Sequence, residues 1–192
     1  MILVDVRHDS AAALRALDQL GDVVKGRGLA RALNRAATTV RAGARREIRN
    51  RYNIAASRVN QVIQIKQATS INPEAVVYAK DRRLALAVFG VKTAKKTGDV
   101  TVKVLRSGPR KTVSGNPNYE GAPFVQTVGR GRHIGIFQRV GRERLPIKEL
   151  FSVSIPGGLT NKVIADVLRR VAVERFGVEL DREVKFRKGR AA

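Results

Sequence analysis

The chain has 192 residues, 43% hydrophobic, with no cysteine, no tryptophan and only 5% aromatic side chains. That size suits one compact domain burying roughly 70% of its extended surface, and the composition excludes disulfides, thiol nucleophiles and zinc–thiolate sites. Lysine and arginine number 38 against 16 acidic residues, a net charge of +22 that points to an anionic partner: nucleic acid first, an anionic membrane surface second, an acidic protein third.

The N-terminal stretch MILVDVRHDSAAALRALDQL lacks the charged, apolar and small-residue order of a secretory signal, so a soluble product made in the cytoplasm is expected. No uncharged apolar run approaches the roughly 18 residues of a membrane span. Residues 2–7 read as a short strand or helix lead-in. Residues 10–20 read as a helix capped by Ser10, with Leu14, Leu17 and Leu20 at helical spacing and a stop at Gly21. The longest helical signal of the N-terminal half is 28–53, where Leu29, Leu33, Ala36, Val40, Ala44 and Ile48 share a face. Arg27, Arg31, Arg35, Arg41, Arg45 and Arg49 project from roughly the opposite arc. Asn53 is placed to cap a short helix, IAASRVNQVI.

From about residue 63 the period changes to two. VIQIKQAT, EAVVYAKD, LALAVFGV and VTVKVLRS read as successive strands, broken by SINP, DRR and KTAKKTGD. Residues 107–121 are rich in Gly, Pro, Asn and Ser and read as a mobile loop or hairpin tip. APFVQTV and HIGIFQRV form a hairpin around the turn 129–132. The last helix starts near Gly158, with Val163, Ile164, Val167, Leu168 and Val171 on one face and a basic tail, Lys185, Arg187, Lys188 and Arg190. The fold class is therefore α+β: long N-terminal and C-terminal helices packed on a small, mainly antiparallel β-sheet. The expected organisation is a single domain, 1–192. It comprises a helical segment over 1–62, a sheet segment over 63–156 containing the loop 107–121, and a C-terminal helix and tail over 157–192.

Six guanidiniums along one helix face can track a phosphate backbone or a row of carboxylates; the competing reading is a solvated helix face. Only Glu47 lies among those arginines, so ion pairs within the helix cannot neutralise them. A helix-turn-helix reading of 51–65 would give Ser57, Arg58, Asn60 and Gln61 to base edges. The preceding helix is too long for that unit and a strand follows directly, so a connector packed by Val59 and Ile63 fits better. His8 and His133 stand alone, which argues against a zinc site. Glu183 and Lys185 match half of a metal-nuclease motif, but on a helix and without an upstream acid, and Glu143 and Glu149 make no acid/base pair. No enzyme, no cofactor and no metal site is expected.

The stretch 121–156, GAPFVQTVGRGRHIGIFQRVGRERLPIKELFSVSIP, has Ile134, Ile136 and Gln138 on one strand face and Gly135, Phe137 and Arg139 on the other. Pro146 stiffens the exit. Taken by themselves, these residues fit an assembly peg or an ordinary edge strand equally well. The stretch resembles the signature of the phage minor tail protein Z family, the tail completion proteins of lambda-like siphophages. The matching positions are Ala122, Phe124, the turn 129–132, Arg139, Gly141, Arg144, Pro146, Ile147 and Pro156. Residues 32–36, ALNRA, are similar to the family's Ala-x-Asn-Arg-Ala helix opening. Pro123 departs from the pattern.

That resemblance implies a non-enzymatic virion component at the head-proximal end of a long non-contractile tail, one that completes the tail for head joining. It also implies terminator, tube and tape-measure proteins as partners. Neighbouring tail proteins of this kind form rings, commonly of six, so a homo-oligomer is expected by analogy. Phe124, Arg139, Gly141, Arg144, Pro146, Ile147 and Pro156 would form the assembly motif. The arginine stripe and the C-terminal basic residues would meet genome DNA without sequence preference, or acidic tail proteins. The alternative reading is a sequence-tolerant DNA-binding or helix-turn-helix regulatory protein.

Overall fold

In a computed structural model the described residues are 22–94 and 96–191, with side chains from residue 26 to 189. The strand and helix expected before Gly21 lie outside them. The chain divides into two compact units, each with its own packing: unit 1 is 1–47, 60–80 and 156–192, and unit 2 is 48–59 and 81–155. The class is α+β, with two long helices and small antiparallel sheets.

Unit 1 is built on α1 (Asp22–Arg51, whose last four residues belong to unit 2) and α4 (Lys162–Ala191). On α1 the buried row is Ala32, Ala36, Val40 and Ala44, with Leu29 and Leu33 partly covered. This is the face the 3.6-residue period selects. On α4 the buried row is Ile164, Leu168, Ala172, Phe176, Leu180 and Val184, stepping by four. Of the face expected there, Ile164 and Leu168 are buried while Val163 is 67% exposed. A four-residue step advances about 40° beyond a full turn, so the row winds away from the arc on which Val163 lies.

The two helices run antiparallel. Arg35 meets Glu179 and Glu183, Ala36 packs in a cluster with Phe176, and the Cβ position of Gly43 lies 3.5 Å from Leu168. Small side chains on α1 leave room for Phe176 and Leu180 between the helices. The described part of helix α1 opens at Asp22, ahead of the start expected at residue 28, and Gly26 within it makes a close approach. A Cβ there would sit 2.7 Å from the Ser70 carbonyl oxygen. The hairpin β1 (Ile63–Lys66) and β2 (Val76–Ala79) pairs Ile63 with Ala79, both buried. Ala75 and Val77 line a hollow of about 30 Å³ together with Leu33, Ala36 and Val40 of α1 and Ala172 and Phe176 of α4. The hairpin therefore packs on both helices.

Unit 2 contains two three-stranded antiparallel sheets where one small sheet was expected. The first is β3 (Val91–Thr93), β4 (Val100–Val102) and β5 (Lys111–Thr112) in that order. The second is β6 (Glu120–Val128), β7 (His133–Arg139) and β8 (Ile147–Glu149). The β6–β7 hairpin turns through 129–132, with Gly129 at φ 72° and Arg132 at φ 49°. Phe89, Ile136, Val59 and Ile48 are fully buried in this unit.

LALAVFGV, which reads as a strand, is instead a 3₁₀ turn over Leu86–Phe89. Its alternation is met by Leu84 and Phe89 turning inward, and Gly90 at φ 71° ends the turn. The short helix α2 (Ala56–Val62) runs straight into β1. Asn53 does not cap it; its amide donates to the Phe89 carbonyl at 3.3 Å.

The loop 107–121, mobile by composition, carries β5 and is strapped by one buried side chain. The Gln138 oxygen accepts from the Asn116 N–H at 2.7 Å, and its amide donates to the Asn116, Tyr119 and Gly121 carbonyls at 3.3, 3.4 and 2.9 Å. A polar side chain 3% exposed is tolerable because both ends of its amide are satisfied. Short α3 (Ile155–Leu159) leads to α4.

Candidate interaction surface

The arginine stripe of α1 is not uniform. Arg27 and Arg31 are exposed and have no carboxylate partner among the described residues. Arg35, four residues on, is consumed within unit 1: it lies 3.2 Å from Glu183 and 3.7 Å from Glu179 of α4. Arg41 is half-buried. Arg45 is half-buried too and donates to the Asn60 carbonyl at 3.1 Å. Burial and the neighbouring Arg41 charge lower its pKa from the ordinary guanidinium value. Arg49 is exposed and belongs to unit 2, where its own carbonyl accepts from Arg106. Arg46, which the stripe did not include, pairs with Glu47 at 3.7 Å.

Two carboxylates organise the centre of the charge on α4. Glu179 and Glu183 are 3% and 2% exposed. Glu179 is held by Arg182 at 3.0 Å and Arg175 at 3.3 Å in addition to Arg35. Glu183 is held by Arg35 and by Arg187 at 3.4 Å. Two carboxylates one turn apart repel, and burial of either costs several kcal/mol, so each needs the guanidiniums around it. Four arginines against two glutamates leave the network positive. Counting acids within α1 missed this, because the partners stand on the other long helix, far along the chain. Glu183, half of the nuclease motif, faces cations in place of a metal-ligand set. Among the described residues no three His, Cys, Asp or Glu side chains cluster where they could hold a metal ion.

Of the C-terminal basic residues, Lys185 and Lys188 are exposed, while Arg187 is folded against Glu183. The backbone of Arg190 is helical, so the tail continues α4 up to Ala191; its side chain lies outside the described set. The antiparallel packing brings the first half of α1 beside the last half of α4. Arg27, Arg31, Lys185 and Lys188 therefore gather at one end of the helix pair. Among the described residues no carboxylate neutralises these four.

The assembly-motif residues fall into two groups. Phe124 opposes Phe137 across the β6–β7 ladder, and the Arg139 guanidinium stacks 5.1 Å from the Phe124 ring. Arg139 in turn opposes Ile147 of β8. The Val140 N–H donates to the Pro146 carbonyl at 3.0 Å, closing the turn that holds Gly141 and Arg144; Arg144 is exposed. Phe124, Arg139, Pro146 and Ile147 thus brace one another in the second sheet. β7 is the central strand of that sheet. Pro156 stands apart, in α3 of unit 1.

Each residue of the ALNRA segment has a packing role, Leu33 by lying partly buried against the core cluster. Ala32 and Ala36 sit in the core cluster, Arg35 meets the buried carboxylates, and Asn34 clasps the backbone of Ala68. His133 bonds Glu149 at 2.8 Å. Arg58, one of the base-reading candidates, is held by Asp81 at 2.8 Å, and no turn separates its helix from β1. No helix among the described residues is long and apolar enough to cross a membrane.

No curated protein and no solved structure matches the chain. The sequence model of prophage minor tail protein Z matches residues 10–189, nearly the whole length, and the chain belongs to that family.

Proposed function

We propose that this protein is a structural virion component that completes the head-proximal end of a long non-contractile phage tail and helps join it to the head. The observation carrying this reading is the family match over residues 10–189. The cations Arg27, Arg31, Lys185 and Lys188 support a docking role, since a fold that neutralises Arg35 and Arg187 internally leaves these outside. They would engage genome DNA through its phosphates, or acidic surfaces of neighbouring tail proteins, with copies arranged around the tail axis. In this role the protein binds and positions, and breaks no bond.

The test is mass spectrometry of purified particles together with fluorescence anisotropy on random duplex DNA across a salt series. The reading expects the protein in particles at stoichiometric level and binding that fades steeply with salt. Absence from particles would overturn the tail role, and no binding at low salt would remove the DNA contact.

A further inference from the structure

The second sheet of unit 2 has two edges, and they are treated differently. Beyond β8 the chain is covered by its own residues 84–86. The Leu86 N–H donates to the Leu150 carbonyl at 3.0 Å, Ser152 to Leu84 at 2.8 Å, and Leu84 to Val153 at 3.3 Å. At the other edge, β6 is the longest described strand at nine residues, and among the described residues its one ladder partner is β7.

Folded proteins guard such edges with charges, proline or a bulge. Here Pro123 and the register shift between Glu120 and Phe124 guard the first half. The second half, Phe124–Val128, has neither. Although 28% of the chain is charged, no charged residue occurs from 121 to 128. Gln126 and Thr127 are exposed, and the Gln126 amide bonds only to the adjacent Thr127 carbonyl.

The sequence Phe124-Val125-Gln126-Thr127-Val128 is also symmetric in side-chain class about Gln126. An antiparallel strand of the same sequence centred there sets Phe124 opposite Val128, Val125 opposite Thr127 and Gln126 opposite itself. Those are apolar, β-branched and amide pairs with no like charges facing, the requirement for a self-complementary two-fold contact. No other described edge combines this length, lack of charge and symmetry: β1 carries Lys66, β3 carries Lys92, and β2, β5 and β8 have four residues or fewer.

We infer that residues Phe124–Val128 of β6 pair with the same strand of a second copy, joining two β6–β7–β8 sheets edge to edge about an axis at Gln126. The occupant is a second copy because the strand's own order of side chains is its complement. This rests on the edge of β6 that has no ladder partner among the described residues, and does not depend on the tail assignment.

The experiment is light scattering coupled to size exclusion, from micromolar to submillimolar protein. The wild type is expected to form a concentration-dependent dimer. Gln126→Lys and Gln126→Glu each place like charges face to face and are expected to be monomers with unchanged circular dichroism, while their equimolar mixture regains the dimer. Gln126→Cys, in a chain without other cysteines, is expected to oxidise to a disulfide-linked dimer, whereas Thr97→Cys is not. A wild type that stays monomeric throughout overturns the inference. So does a Gln126→Lys variant that still dimerises, or a Lys/Glu mixture that fails to re-form the dimer.

Discussion

The carboxamide of Asn34 clasps the backbone of Ala68: its nitrogen donates to the Ala68 carbonyl at 2.9 Å and its oxygen accepts the Ala68 N–H at 2.8 Å. One side chain of α1 thereby satisfies both backbone groups of a residue just past β1 and fixes the hairpin on the helix. Replacing Asn34 with Leu leaves that N–H and C=O without partners in a half-buried place. The expected loss is about 1–3 kcal/mol of unfolding free energy, read by urea denaturation. Asn34→Asp keeps the acceptor and loses the donor, and should fall between the two.

The buried carboxylates give a sharper contrast. Glu183→Ala strands Arg187, whose side chain is 14% exposed, and takes away the nearer partner of Arg35. Breaking a buried pair from one side costs about 3–5 kcal/mol. Arg31→Ala, on the other helix and exposed, should change stability by less than about 0.5 kcal/mol. Denaturant midpoints of the two variants check both values. Equal effects would contradict the division of the basic residues into structural and free sets.

Gln138 is expected to control the order of the loop 107–121. Gln138→Leu removes the four hydrogen bonds to Asn116, Tyr119 and Gly121 and leaves those backbone groups without that partner. Amide hydrogen exchange at 116–121 should accelerate strongly while α1 and α4 keep their protection. Gly115→Ala should have the same effect by another route. Gly115 has φ +76°, and a Cβ would lie 2.6 Å from the Gln138 oxygen.

Charge reversal at the basic end of the helix pair tests docking. Arg27→Glu, Arg31→Glu, Lys185→Glu and Lys188→Glu together should abolish DNA binding at low salt without lowering thermal stability. Single Ala substitutions should each reduce the salt slope of binding by at most about 0.9. Anisotropy titrations at several salt concentrations measure both.

Much of unit 1 was legible in the sequence. The 3.6-residue period on α1 located Ala36, Val40 and Ala44, all buried, because one helix face has one environment along its length. The hairpin around 129–132 was equally plain, since the turn glycines and the period of two agree. The fate of Arg35 was not readable. Its partners lie on another helix far along the chain, and spacing within α1 carries no information about them. LALAVFGV misled because alternation of apolar residues fits a 3₁₀ turn with buried ends as well as a strand. The loop 107–121 looked free because its anchor, Gln138, sits in a different element, strand β7. Arg27, Arg31, Lys185 and Lys188, candidates from the sequence, are exposed in the fold. Separating them from Arg35 and Arg187 required the packing of α1 on α4.

The most direct measurement is immunoelectron microscopy of purified particles with a tag fused after Ala192. The account predicts label at the junction of tail and head on mature particles, and headless tails accumulating when the gene is deleted. Label confined to the distal tip, or deletion particles whose heads and tails join normally, would contradict it.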